Sequence, residues 1–187
     1  LVAVVLWVVT IPVIATALIQ LNKNLDERKI PLLGVLAAAI FAGQMLNFTV
    51  VGGTSGHLMG AAIATILVGP WSAILVMTAV VSTQALIFQD GGLLVLGANL
   101  FNMGVVGVAV SYLVYRIFER ISGGKRWGVF AGGFSAAWLS IFIASLGVGL
   151  QLALSGTSPA NVAIPAMAGI HALIGIGEGL ITLGALA

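Results

Sequence analysis

Cysteine is absent from this sequence, which removes disulfides, thiolate metal sites and cysteine nucleophiles at once. Any metal held here needs nitrogen or oxygen ligands. Charge is almost as scarce. Only 6% of residues are charged and 60% are hydrophobic, against roughly a quarter charged in an ordinary soluble domain, so a water-soluble fold is excluded. No long polar stretch interrupts the chain, which leaves no room for a catalytic domain outside a membrane. A single transmembrane helical domain over residues 1–187 is expected. Phosphate-binding loops, catalytic triads and paired carboxylates are missing too. Nucleic-acid binding is excluded by a net charge of only +2, with the cations in two short clusters that flank apolar runs. The chain opens at Leu1, already inside an apolar run and without a basic leader or cleavage site, so further residues are expected to precede it.

What is present are apolar runs of membrane-spanning length. Residues 1–21 carry no charge and are long enough to span a hydrocarbon core at about 1.5 Å per residue. Polar residues 22–29 end this run, and Pro31 suits the start of a second helix reaching about residue 48. Residues 49–57, with Gly52, Gly53 and Gly56 around Thr54 and Ser55, predict a loop that dips into the protein. A short third helix is expected over 58–68, ended by Gly69 and Pro70. A fourth covers 71–88 before the turn Asp90-Gly91-Gly92. A long fifth covers 93–118, a basic loop 122–126, a sixth helix 127–154, a polar loop 155–161 and a seventh 164–187. The expected fold is all-α: a polytopic membrane bundle of about seven transmembrane helices.

The cations orient that bundle. Lys23, Arg28 and Lys29 follow the first helix, while Arg116, Arg120, Lys125 and Arg126 close or follow the fifth. Both clusters fall on one side if the short third segment counts as a crossing. Under the positive-inside tendency that side is cytoplasmic, which places the N-terminus outside and the C-terminus in the cytoplasm. In the last helix, Gly175 and Gly179 form a Gly-x-x-x-Gly pair of the kind that lets helices approach closely in lipid.

Few residues could carry chemistry. His57 closes the glycine-rich stretch, where a neutral imidazole would suit nickel, cobalt, copper or zinc; capping the third helix is the plainer alternative. His171 and Glu178 are seven apart on the last helix with Gly175 between them, so all three share a face. An ionisable pair in a membrane span is either functional or an interhelical lock, bonded to Gln44, Asn47, Asn99 or Asn102. Asn99 and Asn102 stand three apart near one end of the fifth helix, placed to orient a ligand or to pack. Met45, Met59, Met77, Met103 and Met167 offer thioethers, though scattered Met in an apolar bundle is commonly filler.

Several of these residues fall in one ordered pattern: Gly52-Gly53-Thr54-Ser55-Gly56-His57-Leu58-Met59-Gly60, Leu67-Val68-Gly69-Pro70-Trp71, Gln84-Ala85-Leu86, Asp90-Gly91-Gly92, Leu96-Gly97-Ala98-Asn99 to Asn102-Met103, and His171-Ala172-Leu173-Ile174-Gly175-Ile176-Gly177-Glu178-Gly179. The pattern resembles the membrane substrate-binding subunit of nickel and cobalt energy-coupling-factor uptake transporters, and covers most of the chain. The resemblance implies a seven-helix subunit in a prokaryotic cell membrane, without ATPase activity of its own, that captures Ni2+ or Co2+ as transported substrate. Its implied partners are a transmembrane coupling subunit and cytoplasmic ATPase subunits, with a small accessory membrane subunit as a further candidate, in a lipid bilayer. It makes His57 a metal ligand. The remaining ligands would be the amine, a backbone nitrogen and an imidazole of a Met-His pair preceding residue 1. Asn99, Asn102, His171 and Glu178 would be supporting polar residues. The competing reading is a self-sufficient cation porter or channel using His171 and Glu178; an intramembrane enzyme lacks a nucleophile and base at workable spacing.

Overall fold

Proline sets two of the helix starts. Pro31 and Pro70 each lie in a first helical turn, where a missing N–H leaves no hydrogen bond unmade. The computed structural model describes residues 1–24, 29–50 and 54–187; Arg28 of the first basic cluster, and Gly52 and Gly53 of the glycine-rich stretch, lie outside them. In chain order the elements are α1 (Val2–Asn24), α2 (Ile30–Gln44), β1 (Asn47–Val50), β2 (Thr54–His57), α3 (Ala61–Val68), α4 (Pro70–Ile87), α5 (Gly92–Ser122), α6 (Arg126–Leu154) and α7 (Ala160–Leu186). Within α5, residues Leu100–Val106 form a π-helical stretch.

Five helices, α1 and α4 to α7, are long and apolar enough to cross a membrane. Helix α2 has 15 residues. Helix α3 has only eight, so it reaches about 12 Å, well short of a hydrocarbon core of about 30 Å. The expected helix over 58–68 therefore starts three residues late.

The expected loop before it is instead a hairpin. Strands β1 and β2 pair antiparallel, Asn47 opposite His57 and Val50 opposite Thr54, and α2 stops at Gln44 because the next residues enter this ladder. The hairpin is drawn inward against α7. A Cβ on Gly56 would stand 2.9 Å from Ile174 Cδ1 and 3.0 Å from Ile170 Cγ2, so the strand lies directly on that helix.

The chain then reaches α3, which is enclosed by α4, α5, α6 and α7; its Ala61, Ala62 and Ala64 are fully buried. Helices α6 and α7 form the most extensive pair. There the Gly-x-x-x-Gly pair acts as expected. Gly175 faces Trp138 and Gly179 faces the Phe134 ring, each too close to admit a Cβ without a shift, so two aromatic side chains of α6 fill the groove left by two missing ones on α7.

Candidate metal centre

A cavity of about 590 Å³ opens at one end of the bundle. Its wall takes Val2 and Ala3 from the first turn of α1, Asp90 and Gly91 from the turn before α5, and Gln151, Leu152 and Ser155 from the end of α6. On these same helices the cations sit at the opposite ends: Lys23 in the last turn of α1, Arg120 in that of α5, and Arg126 at the start of α6. The described cations are thus gathered at the end away from the cavity.

Both histidines reach this cavity. His57, at the end of β2, and His171, on α7, line it together with Asn99, Asn102, Met59, Met103 and Met167. Each ring is fixed by one bond: His57 Nδ1 donates to Leu58 O at 2.7 Å, and His171 Nδ1 donates to Met167 O at 2.9 Å. A carbonyl oxygen only accepts, so in both rings the proton sits on Nδ1 and the lone pair on Nε2. Among the described residues neither Nε2 has a hydrogen-bond partner, and only Thr182 Oγ1 is a buried side-chain polar atom without one. Both residues line the cavity with Nε2 outside any described hydrogen bond. That is the tautomer a metal-binding imidazole needs.

His57 does not cap α3, since its bond goes to the adjacent carbonyl. The head of α3 is held by Glu178, whose carboxylate accepts Met59 N–H at 2.6 Å and also Gly60 N–H. Glu178 is buried, 4% exposed, and does not line the cavity. His171, Gly175 and Glu178 do share the buried face of α7, but they part in role: His171 lines the cavity and the Glu178 carboxylate takes the backbone at the head of α3. None of the four amides considered as partners bonds either of them. Gln44 Nε2 instead donates to Met59 O at 2.6 Å, and Gln84 Nε2 donates to Gln44 Oε1 at 2.8 Å. Asn102 pairs with Gln151, each amide donating to the other at 2.8 and 2.9 Å. Asn99 lies against Gly91 in the turn before α5.

Of the methionines, Met77 is fully buried and Met45 is largely exposed, so neither belongs to the site. Met59 lines the cavity, yet its sulfur lies over Gly107. Gln151 is the site residue that sequence reasoning misses. Its only signal is an isolated amide in an apolar helix, where an unpaired polar group is costly. Among the described residues, no three of His, Cys, Asp and Glu are grouped to hold a metal. The site offers two imidazoles, and an ion there would need further ligands.

The whole chain, residues 1–187, matches the family described as the cobalt uptake substrate-specific transmembrane region. It is 45% identical over 184 residues to a putative metal transport protein of Haloquadratum walsbyi, covering 98% of this chain and 83% of that one. It is 39% identical over 180 residues to a putative fused nickel transport protein of Archaeoglobus fulgidus, covering 95% of this chain but only 58% of that longer protein. A crystal structure of a transition metal transporter superposes with a TM-score of 0.90 at 31% identity, over 98% of this chain and 86% of that one. With a family match end to end and relatives of this similarity, the chain belongs to the cobalt uptake substrate-specific transmembrane family, the prokaryotic multi-pass membrane components of cobalt and nickel uptake.

Proposed function

We propose that this chain is the substrate-specific component of an ATP-driven energy-coupling-factor importer for Ni2+ or Co2+, and that His57 Nε2 is a ligand to the ion. The observation that carries this reading is the locked tautomer of His57, which leaves an unprotonated Nε2 on a cavity. His171 offers a second imidazole to the same space. Nitrogen ligands serve nickel and cobalt alike, so both ions stay within the proposal. Energy would come from partner ATPases through a coupling subunit, since no nucleotide-binding motif occurs in these 187 residues.

The topology follows from the charge map. With the cations cytoplasmic, the cavity opens outward and the N-terminus of α1 lies at its mouth. A crossing between α2 and α4 is then made jointly by β2, residues 58–60 and α3. Four strand residues at about 3.3 Å each and eight helical ones at about 1.5 Å nearly span the core. Non-helical backbone is tolerable at that depth because protein surrounds it.

The porter reading is weakened by Glu178. Both of its oxygens accept backbone N–H groups and it stands off the cavity wall, a poor placement for a proton relay.

The test is nickel and cobalt titration of the full-length protein by calorimetry. His57→Ala should weaken binding by more than the roughly 10–100-fold typical of losing an outer-sphere partner; unchanged affinity would remove His57 from the site. Metal uptake into liposomes holding this protein alone would favour the porter.

A further inference from the structure

The bond from His57 and the bond to Glu178 meet on one peptide group. His57 Nδ1–H donates to the carbonyl of Leu58, and the N–H of the same peptide unit, that of Met59, donates to Glu178 Oε2 at 2.6 Å. The order is imidazole N–H, peptide C=O, peptide N–H, carboxylate. Each bond polarises the next, because a carboxylate drawing on an amide N–H makes its carbonyl oxygen a stronger acceptor. The second carboxylate oxygen takes Gly60 N–H and Gln44 donates to Met59 O; both of these groups belong to the next peptide unit, Met59–Gly60, which is thereby fixed directly beside the conducting one. Among the described residues the sole ion pair is Arg116–Glu119; no cation there competes for the carboxylate.

We propose that Glu178 is a positioning residue for the metal, acting through the Leu58–Met59 peptide to hold His57 in its Nδ1–H tautomer and to strengthen Nε2 as a donor. It does the work of the carboxylate that backs a metal-bound histidine, with one peptide group interposed. The proposal rests on the reading of His57 as a ligand.

The chemistry explains why the residue is an acid. Two adjacent N–H groups need two acceptors; a glutamine offers one acceptor and an NH₂ that would face an N–H. Glu178→Gln therefore tests the relay at nearly constant volume.

The experiment uses the full-length protein with 15N-labelled histidine, metal-free, in detergent or lipid. Ring nitrogen shifts report the tautomer of His57, assigned by its loss in His57→Ala, and nickel affinity is measured by calorimetry on the same samples. Trp138→Phe is the control, since it removes a bond from α6 to Ala172 O on α7 without touching the peptide. The expected result is that Glu178→Gln loses the single Nδ1–H tautomer and binds nickel about 10–100-fold more weakly, while Trp138→Phe changes neither. An unchanged tautomer in Glu178→Gln overturns the relay even if affinity falls, because the loss is then one of packing. Equal effects from Trp138→Phe overturn it too. If the glutamine variant does not fold, Glu178→Asp, one methylene shorter, takes its place: loss of the single tautomer supports the relay and an unchanged tautomer overturns it. Should His57→Ala bind nickel normally, the ligand reading fails, while the metal-free spectrum still reports on the relay.

Discussion

At the basic end of the bundle, helix meets helix through side chains that are missing. Gly128 lies against Ser122, Gly132 against Phe118, and Gly133 against Leu186, and the cations there, Arg116, Arg120, Lys125 and Arg126, are exposed. At the cavity end such contacts persist, Gly97 against Trp7 and Gly149 against Ile164, but polar side chains are in addition bonded across elements: Glu178 to the head of α3, Gln44 to Met59 and Gln84, Asn102 to Gln151. In lipid, close backbone approach is the general means of association, and buried amides are the costlier one because each must be satisfied. The expense falls where backbone leaves helical geometry and a cavity must be kept open. One end relies on packing alone, while the other adds bonds that hold groups in place.

The strongest way to press that contrast is Gly60→Val. Gly60 has φ +78°, and a Cβ there would stand 2.7 Å from Ile40 Cγ2. A β-branched residue meets both a left-handed backbone and an occupied space, so a loss of about 3 kcal/mol or more is expected, together with loss of nickel binding, since Met59 and Gly60 would leave Glu178. Thermal unfolding in detergent and calorimetry measure the two effects. Gly132→Leu is its counterpart at the basic end, where a Cβ would come within 2.8 Å of Phe118 Cβ. It should destabilise by about 1–3 kcal/mol yet leave nickel affinity within about threefold. If it weakens binding as Gly60→Val does, the two ends are not independent. The smallest effect is expected from Lys125→Glu with Arg126→Glu. Both residues are exposed, so stability should change by less than about 0.5 kcal/mol and metal binding not at all. If this face docks the coupling subunit, uptake by cells holding the whole transporter should nevertheless fall.

How much of the molecule is legible in the sequence differs between the ends in the same way. The basic end is readable because its signals are local: a run of apolar residues, a Gly-Gly turn, cations at helix ends. The expected sixth helix begins within one residue of α6 and ends at the same residue. The Gly175 and Gly179 spacing marks a close helix contact on α7, though not the partners Phe134 and Trp138. The cavity end is not readable in that way. Residues 47–50 do alternate polar and apolar side chains, but over only four positions, and residues 54–57, Thr-Ser-Gly-His, show no alternation at all; the ladder is held by backbone bonds and by α7. Helix α3 starts at Ala61 and not earlier because Gly60 is left-handed, at φ +78°; the carboxylate that takes the N–H groups of Met59 and Gly60 comes from far along the chain, and no local pattern encodes that partner. The spacing of His171 and Glu178 puts them on one face, as found, but periodicity does not say that one lines a cavity and the other holds the head of α3. The π-helical stretch in α5 leaves no trace in composition.

Glu178 lies 119 residues after Met59, on α7, which follows α1 to α6 in the chain. The N–H groups of Met59 and Gly60 therefore lack this carboxylate until α7 has been made. A nascent or truncated chain can carry His57, but cannot hold it as the finished bundle does. Under the proposed relay, the order of synthesis acts as a checkpoint: the imidazole is held in place only after α1 to α6 have been made.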